Sequence, residues 1–356
     1  MNPKSSQTSS NFISQLKAGI KHSYALGWLV PYFRAIQNNI QAAKNNVRAT
    51  QASLNRALIA RKYSTIAKQE FIEDLRQAMA KDVGYAAGKI GLTAQYMARY
   101  EMMLQSEPDQ ATIEKYESRL EFMCLKQQGI FPNDNDFYRR YSTFYIDHTR
   151  HLDCLGICYY PGELEVLKYH KLTNKMIHYV QQEPDRSSPS NNNNCYLQYF
   201  REKRLLIVCP FGELLAQRAN EKTFEKVWQK TGKKWFYPKS VDALEFPYGF
   251  SPDTHKVYPT IFELLHDITN RLHKIEFDVA LIAAAGLAIP LASHIKGMGK
   301  IAIDLGGHLQ FLFGVIGQRW RNSKESKTKY FNEHWIDMPA MYKPRQTDVC
   351  DFGAYW

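Results

Sequence analysis

The chain has no run of about 18 apolar residues, the length a helix needs to cross the hydrocarbon of a bilayer. Its most apolar early stretch, Tyr24 to Phe33, holds Pro31 and is too short for a secretory span. The expectation is a cytoplasmic protein, soluble or peripheral at the inner face of a membrane. Cys124, Cys154, Cys158, Cys195, Cys209 and Cys350 include no C-x-x-C pair and no zinc spacing, and several lie in apolar runs. Packed thiols in a reducing compartment follow from that. His148, His151, Cys154 and Cys158 come nearest to a metal cluster, but Leu152, Leu155 and Ile157 give the segment the pattern of a strand. No zinc-finger, RNA-recognition or P-loop motif is present, so nucleic acid is not an expected partner. No internal repeat is visible, and no G-x-G-x-x-G follows a strand, which argues against NAD chemistry.

Acid is also missing where it would balance charge. The first 69 residues hold ten Lys or Arg and no Asp or Glu, so they carry +10 of the formal +11. The other 287 residues are close to neutral. Within this basic arm Phe12, Ile13, Leu16, Ile20, Tyr24, Leu29, Tyr32, Phe33, Ile36 and Ile40 recur at helical spacing, with Pro31 interrupting. Such an arm suits an anionic membrane surface, each basic side chain near it adding about 1 kcal/mol. Packing on the domain or a partner, with a solvated basic face, explains the same pattern. An organelle transit peptide is a weaker reading, because the helical pattern continues past residue 60.

What is present is concentrated in Phe277 to Trp320. Val279 to Ala283 reads as a buried strand, Ala284 to Gly286 as a small-residue loop, Ile289 to Lys296 as a helix and Lys300 to Leu305 as a second strand. A β-α-β unit places its ligand outside the carboxyl ends of its strands, here Ala284 to Leu287 and Asp304 to Gln310. Upstream, Phe71 to Met79, Ala94 to Leu104, Gln110 to Gln127 and Glu163 to Val180 are expected as helices, and Leu205 to Val208 as a strand. Glu183 to Asn194, EPDRSSPSNNNN, is expected as a mobile polar loop.

The order of Asp278-Val279-Ala280-Leu281-Ile282, an I-K-x-x-G-K turn, Leu305-Gly306-Gly307 with Gln310, Phe313-Gly314 and Arg319-Trp320 resembles GT-D-type glycosyltransferases and their uncharacterised bacterial relatives. Phe331 to Trp335 and the terminal Gly353-Ala354-Tyr355-Trp356 continue the match. Leu205 to Phe211, Gln128 to Pro132 and Leu152 to Gly156 extend it upstream. The resemblance covers roughly residues 82 to 356 and implies an α/β, Rossmann-like GT-D-type domain, with residues 1–81 as a basic helical arm. It also implies sugar transfer from a nucleotide-sugar donor to a glycan or lipid-linked acceptor. One departure matters most. The family's acidic D-x-E type motif, or G-R-x-G-x-x-E in the relatives, falls on Gly88-Lys89-Ile90-Gly91-Leu92-Thr93-Ala94, where Leu92 and Ala94 replace the acids and cannot ligate a metal. No metal ligand is assigned, and Mg²⁺ or Mn²⁺ dependence is not expected.

Each site candidate has a plainer alternative. Asp304 ends a strand at the ligand edge and could hold ribose, a sugar hydroxyl or a metal, or act as base; it could equally cap the following helix. Glu213 is the other candidate base. Gly88, Gly91, Gly286, Gly306 and Gly307 suit close approach of backbone to phosphate, or shape turns. His308 and Gln310 open a helix whose amino end favours a diphosphate. Lys89 and Arg319 can neutralise phosphate in place of an ion, or be ordinary surface cations. Trp320, Trp335 and Trp356 stack on a base or sugar, or pack in the core. Two functions follow: a metal-independent transferase, or a GT-D-like protein that kept the fold as a non-catalytic binding or scaffold subunit.

Overall fold

A computed structural model of the chain describes residues 30–184, 195–233, 237–344 and 353–356. Seven strands form one parallel sheet: β1 (Tyr85–Lys89), β2 (Cys154–Ile157), β3 (Lys175–His178), β4 (Arg204–Val208), β5 (Ser240–Leu244), β6 (Val279–Ile282) and β7 (Ile301–Asp304). Their order is β3-β2-β1-β7-β6-β4-β5. Successive side chains enter opposite cores, as the period of two requires. Ala86, Leu155, Leu206, Ala280 and Ala302 pack on one face, and Ala87, Cys154, Leu205, Leu281 and Ile303 on the other. Helices Leu92–Leu104, Asn135–Arg150, Ile261–Leu272 and Ala288–Gly297 cover the first face; Lys68–Ala80, Gly212–Arg218 and Glu221–Val227 cover the second. The architecture is α/β and Rossmann-like, its strands apolar on both sides because both faces are buried.

The expected β-α-β unit is present, as β6, the Ala288–Gly297 helix and β7, with Val279 paired to Ile301 and Ile282 to Asp304. Lys68–Ala80 and Leu92–Leu104 slightly exceed the helices expected there, Gly91 preceding the latter in an extended conformation. Gln110–Gln127 is helical throughout, but Phe122–Gln127 widens into a π-helical turn.

Glu163 to Val180 is not one helix. The helix stops at Tyr169, Lys171 takes a left-handed φ of 51°, and Lys175–His178 pairs in parallel with β2 as strand β3. Met176 and Ile177 are fully buried on opposite faces. A four-residue strand with two buried apolar side chains cannot be separated from a helix by periodicity alone.

The expected arm is also shorter than residues 1–81. The chain divides between Ala57 and Leu58, and Ile59, Ile66, Phe71 and Leu75 are buried in the α/β unit. Ser64 to Ile66 runs beside β3: the Ser64 carbonyl accepts from Met176 N–H and Ile66 N–H donates to the Met176 carbonyl, each at 2.8 Å. Val30–Lys62 is a helix with Pro31 in its first turn, where the missing N–H costs nothing. Phe12 to Leu29 of the amphipathic pattern, and residues 185–194 of the polar loop, lie outside the described residues. Among the described residues no helix is long and apolar enough to cross a membrane.

Candidate functional site

A cleft of about 680 Å³ opens over the carboxyl ends of the sheet. Its walls come from the segments that leave the strands: Lys89 to Ala94 after β1, Cys158 and Tyr160 after β2, Tyr179 to Glu183 after β3, Pro210 and Phe211 after β4, Ala283 to Leu287 after β6, and Asp304 to His308 after β7. Parallel strands all release their chain on one edge, so residues distant in sequence converge there.

The Gln128 to Pro132 turn is locked between two glycines. Gly129, at φ +64°, lies against Gly249, where a Cβ would stand 2.2 Å from the Gly129 carbonyl oxygen. A Cβ on Gly286 would meet the Gln128 oxygen and Ile130 at 2.8 Å. Gly286 therefore makes room for this turn, and it is not among the lining residues. Gly88 faces the core, where a Cβ would be 2.9 Å from Leu152.

The charged centre of the cleft joins β1, the segment after β3 and β7. The Lys89 ammonium donates to Glu183 Oε1 at 3.0 Å and to the Leu305 carbonyl at 3.2 Å. The other carboxylate oxygen, Oε2 of Glu183, lies 3.5 Å from Nδ1 of the buried His308. Asp304 is 5% exposed, and its Oδ1 accepts from Gly306 N–H at 2.9 Å. Burial pushes its carboxyl above the usual range, while the neighbouring Lys89 opposes that rise.

Gly306 has the left-handed φ of +51° that a glycine permits. Gly307 does not; its φ is −60°, and a Cβ there would stand 2.9 Å from Nη1 of Arg319. The guanidinium of Arg319 lies 5.8 Å from the Trp320 ring and 5.6 Å from that of Tyr355, and all three residues line the cleft. His308 opens a helix of five residues, His308–Leu312, too short for a strong dipole at its amino end. Gln310 is fully buried, donating to the Tyr355 carbonyl at 2.7 Å.

Lys89, Gly91, Gly306, Gly307, His308, Asp304 and Arg319 thus meet in one cleft, whereas Gly88, Gly286 and Gln310 stand behind its wall. Glu213 lies apart: its side chain is exposed, and its backbone N–H donates to Glu245 at 2.8 Å. Of the tryptophans, Trp320 lines the cleft, while Trp335 and Trp356 are buried, Trp335 against Trp228 and Trp356 against Tyr248 and Phe250. Leu92 and Ala94 line the cleft, and Leu92 is 50% exposed.

The residue that sequence reasoning missed is Glu183. Recognising Lys175–His178 as a strand would have placed Glu183, five residues beyond it, at the carboxyl edge. The described cysteines are free thiols; burial raises Cys124 and Cys158 to about 12, Cys158 being on the cleft wall. Among the described residues no group of three or more His, Cys, Asp or Glu could hold a metal ion.

Comparison with protein-family models, with curated proteins and with solved structures yields no match to this chain.

Proposed function

We propose that the cleft binds a nucleotide sugar and transfers the sugar to a glycan or lipid-linked acceptor without a divalent ion. The observation that carries this reading is the pairing of charge in the cleft. Lys89 and Arg319 offer cationic groups for a diphosphate, while Leu92 and Ala94 line the wall where the resemblance calls for metal-binding acids. Arginine and lysine donate charge-assisted hydrogen bonds to phosphate oxygens and so perform part of a metal's work. A diphosphate at Lys89 would take over contacts now made by the Glu183 carboxylate.

In the transfer, the anomeric carbon loses its bond to the diphosphate oxygen and gains one to an acceptor hydroxyl oxygen, whose proton needs an acceptor. Asp304, on the cleft wall with a raised pKa, fits that role better than Glu213, which lies outside it. The basic segment preceding residue 58 would hold the protein at an anionic surface that carries the acceptor. Thermal-shift screening of the full chain against nucleoside diphosphate sugars, with chelator and with Mg²⁺, tests the reading. Stabilisation that survives chelator and is lost in Arg319→Ala supports it; stabilisation seen only with the ion contradicts the metal-free form.

A second reading rests on the same two apolar residues. With Leu92 and Ala94 in place of acids, the fold serves as a non-catalytic binding or scaffold subunit. Absence of any donor-induced shift under all ion conditions selects it.

A further inference from the structure

On the helical layer that covers one face of the sheet, two histidines from different helices meet. His273 directly follows the Ile261–Leu272 helix, and His294 lies in the last turn of Ala288–Gly297. Their Nε2 atoms are 3.3 Å apart, with ring centroids at 5.2 Å and planes at 81°. Two nitrogens bound to one tetrahedral ion at about 2.0–2.1 Å stand about 3.3 Å apart, so this spacing is also that of a shared ion. His273 is exposed and His294 half-buried, which leaves the pair open to solvent on one side.

We propose that His273 and His294 form a two-histidine clip for a divalent transition metal of the zinc, nickel or cobalt type. Imidazole nitrogen suits these ions, and ligation needs neutral rings. On ion binding the ring that donates in this contact would carry its proton on Nδ1 instead, so that both rings stay neutral and both Nε2 lone pairs face the ion, and water would complete its coordination. Among the described residues no third protein ligand joins the pair. His148, on the neighbouring helix, is engaged instead through Nδ1 with Ser293 Oγ at 2.9 Å. The clip would tie the end of one helix to the end of another whose start, after Leu287, adjoins the cleft.

The site is tested on the full chain after removal of metal by chelator, using Zn²⁺ for calorimetry and Co²⁺ for its visible absorption. The expected result is one saturable ion per chain, at least tenfold weaker binding in His273→Gln and in His294→Gln, and no change in His266→Gln. Circular dichroism confirms that each variant is folded, and both side chains are near enough to the surface for glutamine to be accommodated. Two imidazole nitrogens in a shell otherwise made of water oxygen, read from X-ray absorption of the Co²⁺ form, are a second expected result. Binding in His273→Gln and His294→Gln equal to that of the parent chain, or no saturable binding at all, overturns the proposal and leaves a simple hydrogen-bonded pair.

Discussion

The two halves of the cleft are built differently. The half formed by β4, β6 and β7 lines the cleft with a cluster of small residues, Ala283, Ala284, Ala285, Gly306 and Gly307, set beside Phe211, Asp304 and His308. The half formed by β1, β2 and β3 lines it mainly with larger side chains: Lys89, Leu92, Thr93, Cys158, Tyr160, Tyr179 and Glu183. The first half leaves room for backbone to be approached closely, while the second fills its wall with larger side chains. Leu92 and Ala94, on which the proposal of a metal-free site rests, belong to the second half.

The largest expected effect breaks the second half from its edge. Ser64 to Ile66 extends the sheet beside β3, and Ile59 and Ile66 are buried. Deleting residues 1–57 should leave denaturant stability nearly unchanged, whereas deleting 1–69 should cost on the order of 5 kcal/mol or more, since each lost buried isoleucine is worth about 2–5 kcal/mol. Equal stability of the two truncations would show that the β3 edge needs no cover.

A smaller loss is expected where the halves are joined. Gly249→Val drives a side chain onto the Gly129 carbonyl, so the Gln128 to Pro132 turn must shift; the expected cost is about 3 kcal/mol, read from the urea midpoint. Retained stability would mean that the turn is not the brace between them.

The third expectation concerns charge inside the second half. Lys89→Met removes the ammonium from the Glu183 carboxylate and the field of Asp304 while keeping volume. With Lys89 and Glu183 side chains 15% and 12% exposed, the expected cost is about 2–3 kcal/mol at pH 7, smaller at pH 4 where carboxylates protonate. A pH-independent loss would assign Lys89 a packing role.

These cases show which parts of the site the sequence could reveal. Val279 to Asp304 was readable because a strand, a small-residue loop, a helix and a second strand follow one another within a single unit, and local pattern suffices. Glu183 was not, because its place depends on Lys175–His178 pairing with β2, a contact with no local signature. The same holds for Ile59 and Ile66, which fall within the arm expected over residues 1–81 but are buried in the α/β unit. Gly307 was singled out for the right turn and for a different reason: the space it leaves is occupied by Arg319, distant in the sequence.

A fourth, smaller effect is a pH dependence in the wall behind Cys158. Glu163 is fully buried; burial raises its carboxyl to about 7, with Oε1 accepting from Cys158 N–H at 3.1 Å and from Gln95. The folded state therefore holds a proton that the unfolded state releases near its ordinary value of 4.5. The stability contributed by the neutral group is complete below that value and is lost as pH rises towards 7, a fall of about 3 kcal/mol at most. Glu163→Gln, which cannot ionise, should flatten this slope and, after losses in hydrogen bonding, be about 1–2 kcal/mol more stable than the parent chain at pH 8. An unchanged slope between pH 5 and 8 would place the titration elsewhere.

The central claim is that side chains, with no divalent ion, take up the charge of a nucleotide-sugar diphosphate in this cleft. Calorimetric titration of the full chain with a panel of nucleoside diphosphate sugars, in chelator and again in Mg²⁺, measures it directly. The account predicts the same donor affinity in both buffers and a loss of about 1.5–3 kcal/mol in Arg319→Ala, whose own fold stability should change by less than about 1 kcal/mol. Donor binding that appears only with Mg²⁺, or that is unaffected by Arg319→Ala, would contradict it.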